Sequence, residues 1–475
     1  MVRFGTGGWR AVIGDEFTRA NIQLLAKAMS RKMKSEGVAE EGIVIGYDRR
    51  FLSKESVKWA CEVFAAEGIH VWFVNRSSPT PLIMYYVEKH QLHYGMMVTA
   101  SHNPAIYNGF KVFTYGGRDA SEEQTKDIEH YAEEIEAEAE PIAFIDYEQA
   151  KSEGRVTEFN PMNEYLDNII ANIDMHAIRE RGLHIVLDPM YGVSQVAMKT
   201  ILSTARCEMD LIHETHDTLF GRRMPAPSES SLTELRTYVR EMECDLGIAT
   251  DGDADRLGVV DDNGKYLHAN DILVLLYYYL LKYRGWRGPA VRNVATTHLL
   301  DRLAESFGEV CYEVPVGFKH ISAKMQETDA LIGGESSGGL TVRGHINGKD
   351  GIYAASLLVE MIAVTKKRLS ELAREIEETY GSTHMEEHSF RFTVARKQEL
   401  QKILFEEKQL PEFPQEVAKV SYLDGVKVYF ENGGWIIARF SGTEPLLRIF
   451  CEMSDEAQAI RNCNILEGFL DLKQN

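Results

Sequence analysis

The chain has 475 residues, which at roughly 150 residues per domain predicts three or four domains. Apolar residues make up 44% and charged residues 26%, so neither a disordered chain nor a fibre is expected. The net charge of −20 argues against binding nucleic acid or anionic lipid through bulk charge, although a local basic pocket could still take phosphorylated substrates.

The six cysteines are scattered, with no CxxC motif and no histidine close to them in sequence. This distribution favours reduced thiols in an intracellular protein over a disulfide scaffold or a zinc site. The amino terminus has no apolar core of signal-peptide length, and the longest apolar run, Ile272–Leu281, is too short for a membrane helix and is predicted to be a buried helix. We therefore expect a soluble, cytoplasmic protein with no membrane or nucleic-acid partner, as a monomer or homodimer.

Three segments share a pattern of strand, amphipathic helix and strand: Gly42–Phe73, Gly182–Ile212 and Pro289–Val314. Units of this length predict right-handed crossovers and parallel strand pairs. Their wide spacing predicts three related α/β domains.

The last part of the chain has a different pattern. A helix is predicted to end near Gly381, and alternating strands with an Asn432–Gly433 hairpin signal follow, which predicts a smaller α+β domain. A capped polar helix is predicted within Ser121–Glu140, near the end of the first domain. The predicted domains are residues 1–145, 146–258, 259–382 and 383–475.

The first motif that could carry chemistry is TASHNP, residues 99–104, after an apolar strand. A serine at the carboxyl end of a parallel strand, in a tight turn, is exposed to a crevice. An ordinary turn or helix cap explains a lone Ser101–His102 pair equally well, so this motif alone does not make Ser101 a nucleophile.

The second motif is DGDADR, residues 251–256, between two apolar strands. Three carboxylates at alternate positions can converge on one cation if the backbone curls, and ligation by oxygen alone favours Mg²⁺ or Ca²⁺. A calcium-binding EF-hand is excluded because Arg256 replaces the required glycine and Asp262 the final glutamate. We favour a metal site over a solvated acidic turn.

Two further loops are weaker signals when taken alone. GGESSGG, residues 333–339, offers glycines for close approach together with Glu335 and serines suited to sugar hydroxyls. RFSGTEP, residues 439–445, followed by Arg448, could form a nest for a phosphate dianion, or a simple turn between strands.

Taken in order, these four loops resemble the phosphoserine, metal, sugar-recognition and phosphate-binding loops of the α-D-phosphohexomutase superfamily. That family includes phosphoglucomutases, phosphomannomutases and phosphoglucosamine mutases, and the opening FGTGGWR resembles its amino-terminal signature. The resemblance runs from residue 4 to residue 448. It implies an α/β fold in which three related α/β domains with mixed sheets and a C-terminal α+β domain surround a central cleft.

The resemblance also implies a mechanism in which a phosphoserine exchanges its phosphoryl group with a hexose 1- or 6-phosphate through a hexose 1,6-bisphosphate, which also acts as activator. Mg²⁺ is the implied cofactor. The implied catalytic residues are Ser101, His102, Lys111 and Arg10. The implied metal ligands are the phosphate of Ser101 with Asp251, Asp253 and Asp255. The implied substrate-binding residues are Asn103, Arg256, Lys319, Glu335, Ser337, Arg439, Ser441, Gly442, Thr443 and Arg448.

A charge argument supports this pairing of loops. A phosphoserine carries close to two negative charges and would be repelled by three carboxylates, so a divalent cation must lie between them. Lys111, His102 and Lys319 are all candidates for the group that takes the proton of the attacking hydroxyl, and the sequence does not choose among them.

The substrate is expected to be glucose phosphate, with mannose phosphate second. Gly339 stands where some branches of the family carry histidine, which favours the glucose and mannose branches. The alternatives are a phosphoglucosamine mutase and, outside enzymes, a catalytically silent sugar-phosphate-binding protein.

Overall fold

The structure is a computed structural model that describes residues 2–5, 7–139, 141–440 and 446–472. The chain divides into two compact units. The first contains Met1–Ile272 and Ser337–Glu371, and the second contains Leu273–Ser336 and Leu372–Asn475. Among the described residues, no helix is both long and apolar enough to cross a membrane.

The first unit begins with a mixed sheet of eight strands. They are β1 (Phe4–Gly5), β2 (Gly8–Val12), β3 (Ile43–Tyr47), β4 (Val71–Val74), β5 (Tyr94–Val98), β6 (Tyr107–Thr114), β7 (Arg118–Asp119) and β8 (Val156–Phe159). Their order is β1-β2-β6-β5-β3-β4-β8, with β7 paired to β6. The strands β5, β3, β4 and β8 are parallel, and the pairs at the β6 side are antiparallel.

The helices of this region are α1 (Arg19–Ser35), α2 (Ser53–Ala66), α3 (Thr80–Lys89), α4 (Glu122–Glu138) and α5 (Tyr147–Ser152). Every residue of β3 and β5 is buried, as expected for central strands covered on both faces. The predicted cap of α4 is present, because Ser121 forms a capping box with Gln124, and this polar helix buries only its Ile128, Ala132 and Ile135 side.

The second sheet of the first unit has the order β10-β9-β11-β12-β13. Its strands are β9 (His184–Asp188), β10 (Glu208–Leu211), β11 (Leu246–Thr250), β12 (Leu257–Val260) and β13 (Tyr266–Leu267). The helices are α6 (Met162–Ala171), α7 (Met175–Arg181), α8 (Gln195–Thr204) and α9 (Thr233–Glu241). β10, β9 and β11 are parallel, and β12 and β13 continue the sheet antiparallel.

In the second unit, β14 (Ala290–Asn293) pairs in parallel with β15 (Cys311–Val314) on one side and with β16 (Ile332–Gly334) on the other. The helices α10 (Ala269–Lys282), α11 (Leu299–Ser306) and α12 (Phe318–Thr328) belong to this part of the chain. The apolar run Ile272–Leu281 is buried within α10, which confirms the predicted buried helix. The chain then forms β17 (Leu340–Val342), α13 (Gly351–Thr365) and α14 (Leu369–Tyr380).

The C-terminal part is an antiparallel sheet of order β18-β22-β21-β20-β19 with two helices. Its elements are β18 (His384–Arg391), α15 (Val394–Gln401), β19 (Val417–Ser421), β20 (Val426–Phe430), β21 (Trp435–Phe440), β22 (Leu446–Met453) and α16 (Glu456–Phe469). The predicted hairpin joins β20 to β21, with Gly433 in the left-handed region at φ 85°. The pattern of antiparallel strands confirms the α+β prediction.

The three predicted strand–helix–strand units are present as β3-α2-β4, β9-α8-β10 and β14-α11-β15, each with its two strands parallel. The multidomain α/β fold with mixed sheets is thereby confirmed. The domain boundaries at residues 145, 258 and 382 stay a prediction.

Candidate active site

Ser101 lies in the turn that follows β5. The residue is 1% exposed and has φ 52°, a left-handed conformation that is strained for a residue with a Cβ. Its Oγ donates to Asp251 Oδ2 at 2.8 Å, and His102 Nδ1 lies 3.4 Å from the same Oγ. The fold therefore brings the serine of the first motif directly against the first aspartate of the second, 150 residues away.

Gly252 allows this close approach. A Cβ at Gly252 would lie 2.8 Å from the carbonyl oxygen of Ser101, which is closer than carbon and oxygen normally come. Ala254, two residues further, has φ 61°, so the acidic loop curls as its spacing required. The three carboxylates of Asp251, Asp253 and Asp255 are buried, and they offer oxygen atoms that all lie within 4.8 Å of one another.

Lys111, on β6, balances part of this charge. Its Nζ donates to Asp253 Oδ2 at 2.7 Å and to Asp255 Oδ2 at 2.5 Å, and Thr80 Oγ1 donates to Asp253 Oδ2 at 2.6 Å. Burial and the neighbouring carboxylates raise the pKa of Asp251 to about 8. Burial also opposes ionisation of Asp255, but the charges of Lys111, Lys349 and Arg256 outweigh it and lower that pKa.

The donor set of the acidic loop fits a hard divalent cation. Asp253 Oδ1 and Asp255 Oδ1 are buried without a hydrogen-bond partner among the described residues. Such atoms are costly to bury unless something binds them, and carboxylate oxygens are the ligands that Mg²⁺ takes. Asp251, Asp253 and Asp255 are therefore the residues that could hold the cation.

Cationic side chains line the same loops. Arg10, on β2, donates from Nη1 to Asn103 Oδ1 at 2.7 Å, and Arg256 Nε lies 4.0 Å from Asp251 Oδ2 and from Asp255 Oδ1. Burial and repulsion from Arg256 lower the pKa of Arg10, and Arg256 together with burial lowers the pKa of His102 well below its usual value. Partly buried positive groups that repel one another make a candidate site for binding an anion.

Lys349 joins this group next to a glycine of the sugar-recognition motif. Its Nζ lies 3.2 Å from Asp255 Oδ2, and a Cβ at Gly339 would lie 2.2 Å from the Cδ atom of Lys349. Gly339 is thus required for the path of the Lys349 side chain. Asp350, the next residue, caps α13 and accepts a hydrogen bond from Tyr165, so it has a structural role.

A buried arginine that the sequence analysis missed braces the Ser101 turn. Arg50 is 3% exposed, and its guanidinium donates to the carbonyl oxygens of Ser101, Asn103, Pro104 and Tyr107 at 2.6–3.0 Å. Asp48 completes the brace by accepting from the backbone amide of Arg50 at 2.9 Å. The sequence held one indication of this role, because Asp48 and Arg50 follow β3, which pairs in parallel with the strand before Ser101. The carbonyl groups that Arg50 binds, however, lie about 50 residues away in the sequence.

Glu335 and Lys319 belong to the second unit, and Ser337 belongs to the first. Glu335 Oε1 accepts from the backbone amide of Gly317 at 3.1 Å and from Asn293 Nδ2 at 3.4 Å. Lys319 follows in the first turn of α12. These contacts bring Glu335 to the loop that presents Lys319.

Arg439 and Arg448 face each other across neighbouring strands β21 and β22 in the second unit. Arg439 Nε donates to Asp424 Oδ2 at 2.9 Å, and the same oxygen accepts from the backbone amide of Val316 at 2.8 Å. Arg448 is half exposed, and its Nη1 lies 3.7 Å from Glu387 Oε1. Ser441, Gly442 and Thr443 lie outside the described residues.

Asp424 is a second residue that the sequence analysis missed. Through Val316 it links the loop before Lys319 to the strand that carries Arg439, and so holds two of the predicted substrate-binding segments together. It lies in the turn before β20, where a lone aspartate has no distinguishing sequence signal.

Four family models match the chain in order. They describe phosphoglucomutase/phosphomannomutase alpha/beta/alpha domain I over residues 1–139, domain II over 163–264, domain III over 268–380 and the C-terminal domain over 391–464. Together they span all four motifs.

Similar proteins cover the chain nearly end to end. A "Phosphoglucomutase/phosphomannomutase" of Thermococcus kodakarensis is 29% identical, covering 96% of this chain and 95% of that protein. A "Probable phosphoglucosamine mutase" of Pyrococcus furiosus is 30% identical, with 96% and 94% covered. A "Phosphoglucosamine/phosphogalactosamine mutase" of Sulfurisphaera tokodaii is 27% identical, with 99% of each covered. Among solved structures, a phosphoglucomutase/phosphomannomutase family protein from Burkholderia thailandensis shares the fold, with a TM-score of 0.83, 22% identity, and 100% and 99% covered.

Proposed function

Because the chain belongs to the α-D-phosphohexomutase superfamily, we propose that it interconverts a hexose 1-phosphate and a hexose 6-phosphate through a phosphoserine at Ser101. The observation that carries this proposal is the 2.8 Å contact of Ser101 Oγ with Asp251, beside two buried carboxylate oxygens that have no hydrogen-bond partner among the described residues. A sugar-phosphate-binding protein without catalysis would have no use for a strained serine against an acidic loop.

Asp251, Asp253 and Asp255 would hold Mg²⁺ together with the phosphate of Ser101. The cation would supply positive charge to the transferring phosphoryl oxygens. The three carboxylates are already gathered in the curled loop, so little rearrangement of the backbone is needed.

The proposed transfer breaks the bond between phosphorus and Ser101 Oγ and forms one to the free hydroxyl oxygen of the sugar. Arg10, Asn103 and Arg256 would orient the incoming sugar phosphate through charge-assisted hydrogen bonds. The resulting 1,6-bisphosphate returns its other phosphate to Ser101, and the same bisphosphate added from outside would act as activator.

The geometry favours His102 for the accompanying proton transfer. The ammonium of Lys111 is held by two carboxylates at 2.7 and 2.5 Å, an arrangement that keeps it protonated. His102 instead lies 3.4 Å from Ser101 Oγ, where it can accept the proton of an attacking hydroxyl. Lys111 would then act as a fixed positive charge.

Substrate recognition is assigned to residues of the sugar and phosphate motifs. We propose that Glu335 and Ser337 contact sugar hydroxyls and that Lys319 binds the substrate near them. Arg439 and Arg448, with Ser441, Gly442 and Thr443, would bind the phosphate that is not transferred.

Two sugars are candidates. Two of the three sequence relatives described above carry phosphoglucosamine in their names, so glucosamine phosphate is the first candidate. Glucose and mannose phosphates, the substrates expected from the sequence, are the second, supported by the Thermococcus relative. Turnover of the 1-phosphates of glucosamine, glucose and mannose, measured with Mg²⁺ and the matching bisphosphate, decides between them.

The phosphoserine is tested with Ser101→Ala. We expect turnover to vanish and intact mass to show that no phosphate is incorporated from the bisphosphate, while Ser337→Ala still takes up one phosphate and changes KM. Near-normal turnover in Ser101→Ala would refute the phosphoserine mechanism. Wild-type protein that isomerises none of the three sugars would favour the silent binding protein.

A further inference from the structure

Three side chains that the proposed reaction does not use lie close together in the second sheet, where the three parallel strands β10, β9 and β11 are neighbours. His184 is the first residue of β9, Asp210 lies on the neighbouring strand β10, and Cys244 lies just before β11 on the other side of β9. His184 Nε2 is 2.7 Å from Asp210 Oδ2 and 3.8 Å from Cys244 Sγ, and the three donor atoms all lie within 4.8 Å of one another.

The arrangement differs from a nucleophilic triad. In a Cys–His–Asp triad the thiol and the carboxylate bind opposite nitrogens of the imidazole. Here the sulfur and the carboxylate oxygen both address Nε2 of His184. Donors that converge on one point instead of forming a relay are the arrangement that a metal ion requires.

We propose that His184, Asp210 and Cys244 form a second metal site, with Zn²⁺ as the ion and a water molecule as the fourth ligand. Nitrogen, carboxylate oxygen and thiolate sulfur together suit Zn²⁺ and not Mg²⁺ or Ca²⁺. This proposal is independent of the proposed function.

The distances suit this ion after a small adjustment. Tetrahedral zinc with its usual bond lengths places its nitrogen, oxygen and sulfur ligands about 3.3–3.6 Å apart. The observed separation of Nε2 and Sγ is already close to that, and Asp210 Oδ2 must withdraw from Nε2 by about 0.6 Å, within the reach of a side-chain rotation.

Access favours the same ion. The side chains of His184 and Asp210 are 21% and 34% exposed, which leaves an entry path and room for water, while Cys244 is buried behind them.

The proposed zinc site lies at a distance from the acidic loop. The acidic loop follows the carboxyl end of β11, whereas Cys244 precedes the amino end of that five-residue strand, about 15 Å away along it. The ion would tie three neighbouring parallel strands together, which is a structural role.

Cobalt provides a direct test because a thiolate ligand gives Co²⁺ an intense sulfur-to-metal charge-transfer absorption. The full-length protein, stripped of metals and kept in excess Mg²⁺ to fill the acidic loop, is titrated with Co²⁺. We expect the absorption to saturate at one equivalent, to disappear on addition of Zn²⁺, and to be lost in Cys244→Ser and weakened at least tenfold in affinity in Asp210→Asn.

Two variants serve as controls. Cys207→Ser removes another thiol of the same sheet, and Asp251→Asn alters the acidic loop; both should retain the absorption. Zn²⁺ should also raise the melting midpoint of the wild type but not of Cys244→Ser. The proposal is overturned if no charge-transfer absorption arises, if it survives in Cys244→Ser, or if either control abolishes it.

Discussion

Replacing Arg50 tests whether the fold holds the Ser101 turn in its strained conformation. The Arg50 guanidinium donates four hydrogen bonds to carbonyl oxygens of residues 101–107 and is buried. Arg50→Ala removes these four hydrogen bonds, and it removes the charge that lies 3.4 Å from the buried carboxylate of Asp48. Hydrogen bonds to charged groups contribute about 1.5–3 kcal/mol each, but water entering the vacated space recovers part of this.

Breaking a buried ion pair by removing one partner costs about 3–5 kcal/mol, and we take that range for the local opening of the turn. At about 1.4 kcal/mol per factor of ten, the equilibrium constant for local opening should rise about 10²- to 4 × 10³-fold. Hydrogen exchange at the backbone amides of Ser101, Asn103 and Tyr107, which are bonded within this segment, measures it directly.

Two further variants sharpen the test. Arg50→Lys keeps the positive charge but loses the planar guanidinium with its several donors. The hydrogen-exchange rates of the turn amides should therefore lie between those of the wild type and those of Arg50→Ala. Arg19→Ala removes an arginine whose side chain is 47% exposed and paired with Glu62, and should leave exchange in the turn unchanged. We expect kcat to fall in parallel with the loss of protection. If the amides of Ser101, Asn103 and Tyr107 exchange at the wild-type rate in Arg50→Ala, Arg50 does not hold the turn in its conformation.

Three other changes probe the rest of the molecule. Asp424→Ala frees Arg439 and should raise KM for the sugar phosphate about five- to tenfold with kcat less affected; unchanged steady-state kinetics would contradict this. Lys427→Met removes a buried amine bonded to Glu313 at 2.7 Å. Because Glu313 keeps its pair with Arg292 at 2.6 Å, the free energy of unfolding in urea should fall by only about 1.5–3 kcal/mol, and an unchanged midpoint would show that the Lys427 bond contributes nothing. The pKa of His213 is raised by its hydrogen bond to a carboxylate, so its stabilisation is complete below about pH 6.5 and is lost as pH rises through the raised value. The groups facing it are Asp188, Glu234, Arg223 and Tyr191. The difference in melting midpoint between wild type and His213→Asn should shrink from pH 5.5 to 8.5; a constant difference would contradict the assignment.

The sequence predicted the features that depend on local pattern. The three strand–helix–strand units follow from short apolar runs separated by amphipathic helices, and each forms a parallel pair. The hairpin at Asn432–Gly433 follows from turn chemistry. The pairing of Ser101 with the aspartate loop was implied by the resemblance to the family, and the charge of a phosphoserine beside three carboxylates supported it.

What the sequence did not reveal depends on contacts between distant residues. Arg50 acts on a turn about 50 residues away, and Asp424 joins two loops through one carboxylate oxygen. The scattered cysteines and the lack of nearby histidines argued against a zinc site, yet His184 and Cys244 meet across 60 residues because adjacent parallel strands bring them together. Spacing along the chain can indicate a candidate metal site only when the ligands share one loop, as the aspartates of residues 251–255 do.

The charges around Ser101 explain why phosphorylation and cation binding should depend on each other. The three aspartates contribute three negative charges, and Lys111, Lys349 and Arg256, all within 4.0 Å of one of them, contribute three positive charges. With all three aspartates ionised, these charges sum to zero, so the unphosphorylated loops are close to neutral. A phosphate on Ser101 adds close to two negative charges at the same place, which is the charge that one divalent cation cancels. The cationic side chains thus balance the formal charge of the acidic loop alone, and a phosphoryl group on Ser101 would add the negative charge that a divalent cation balances.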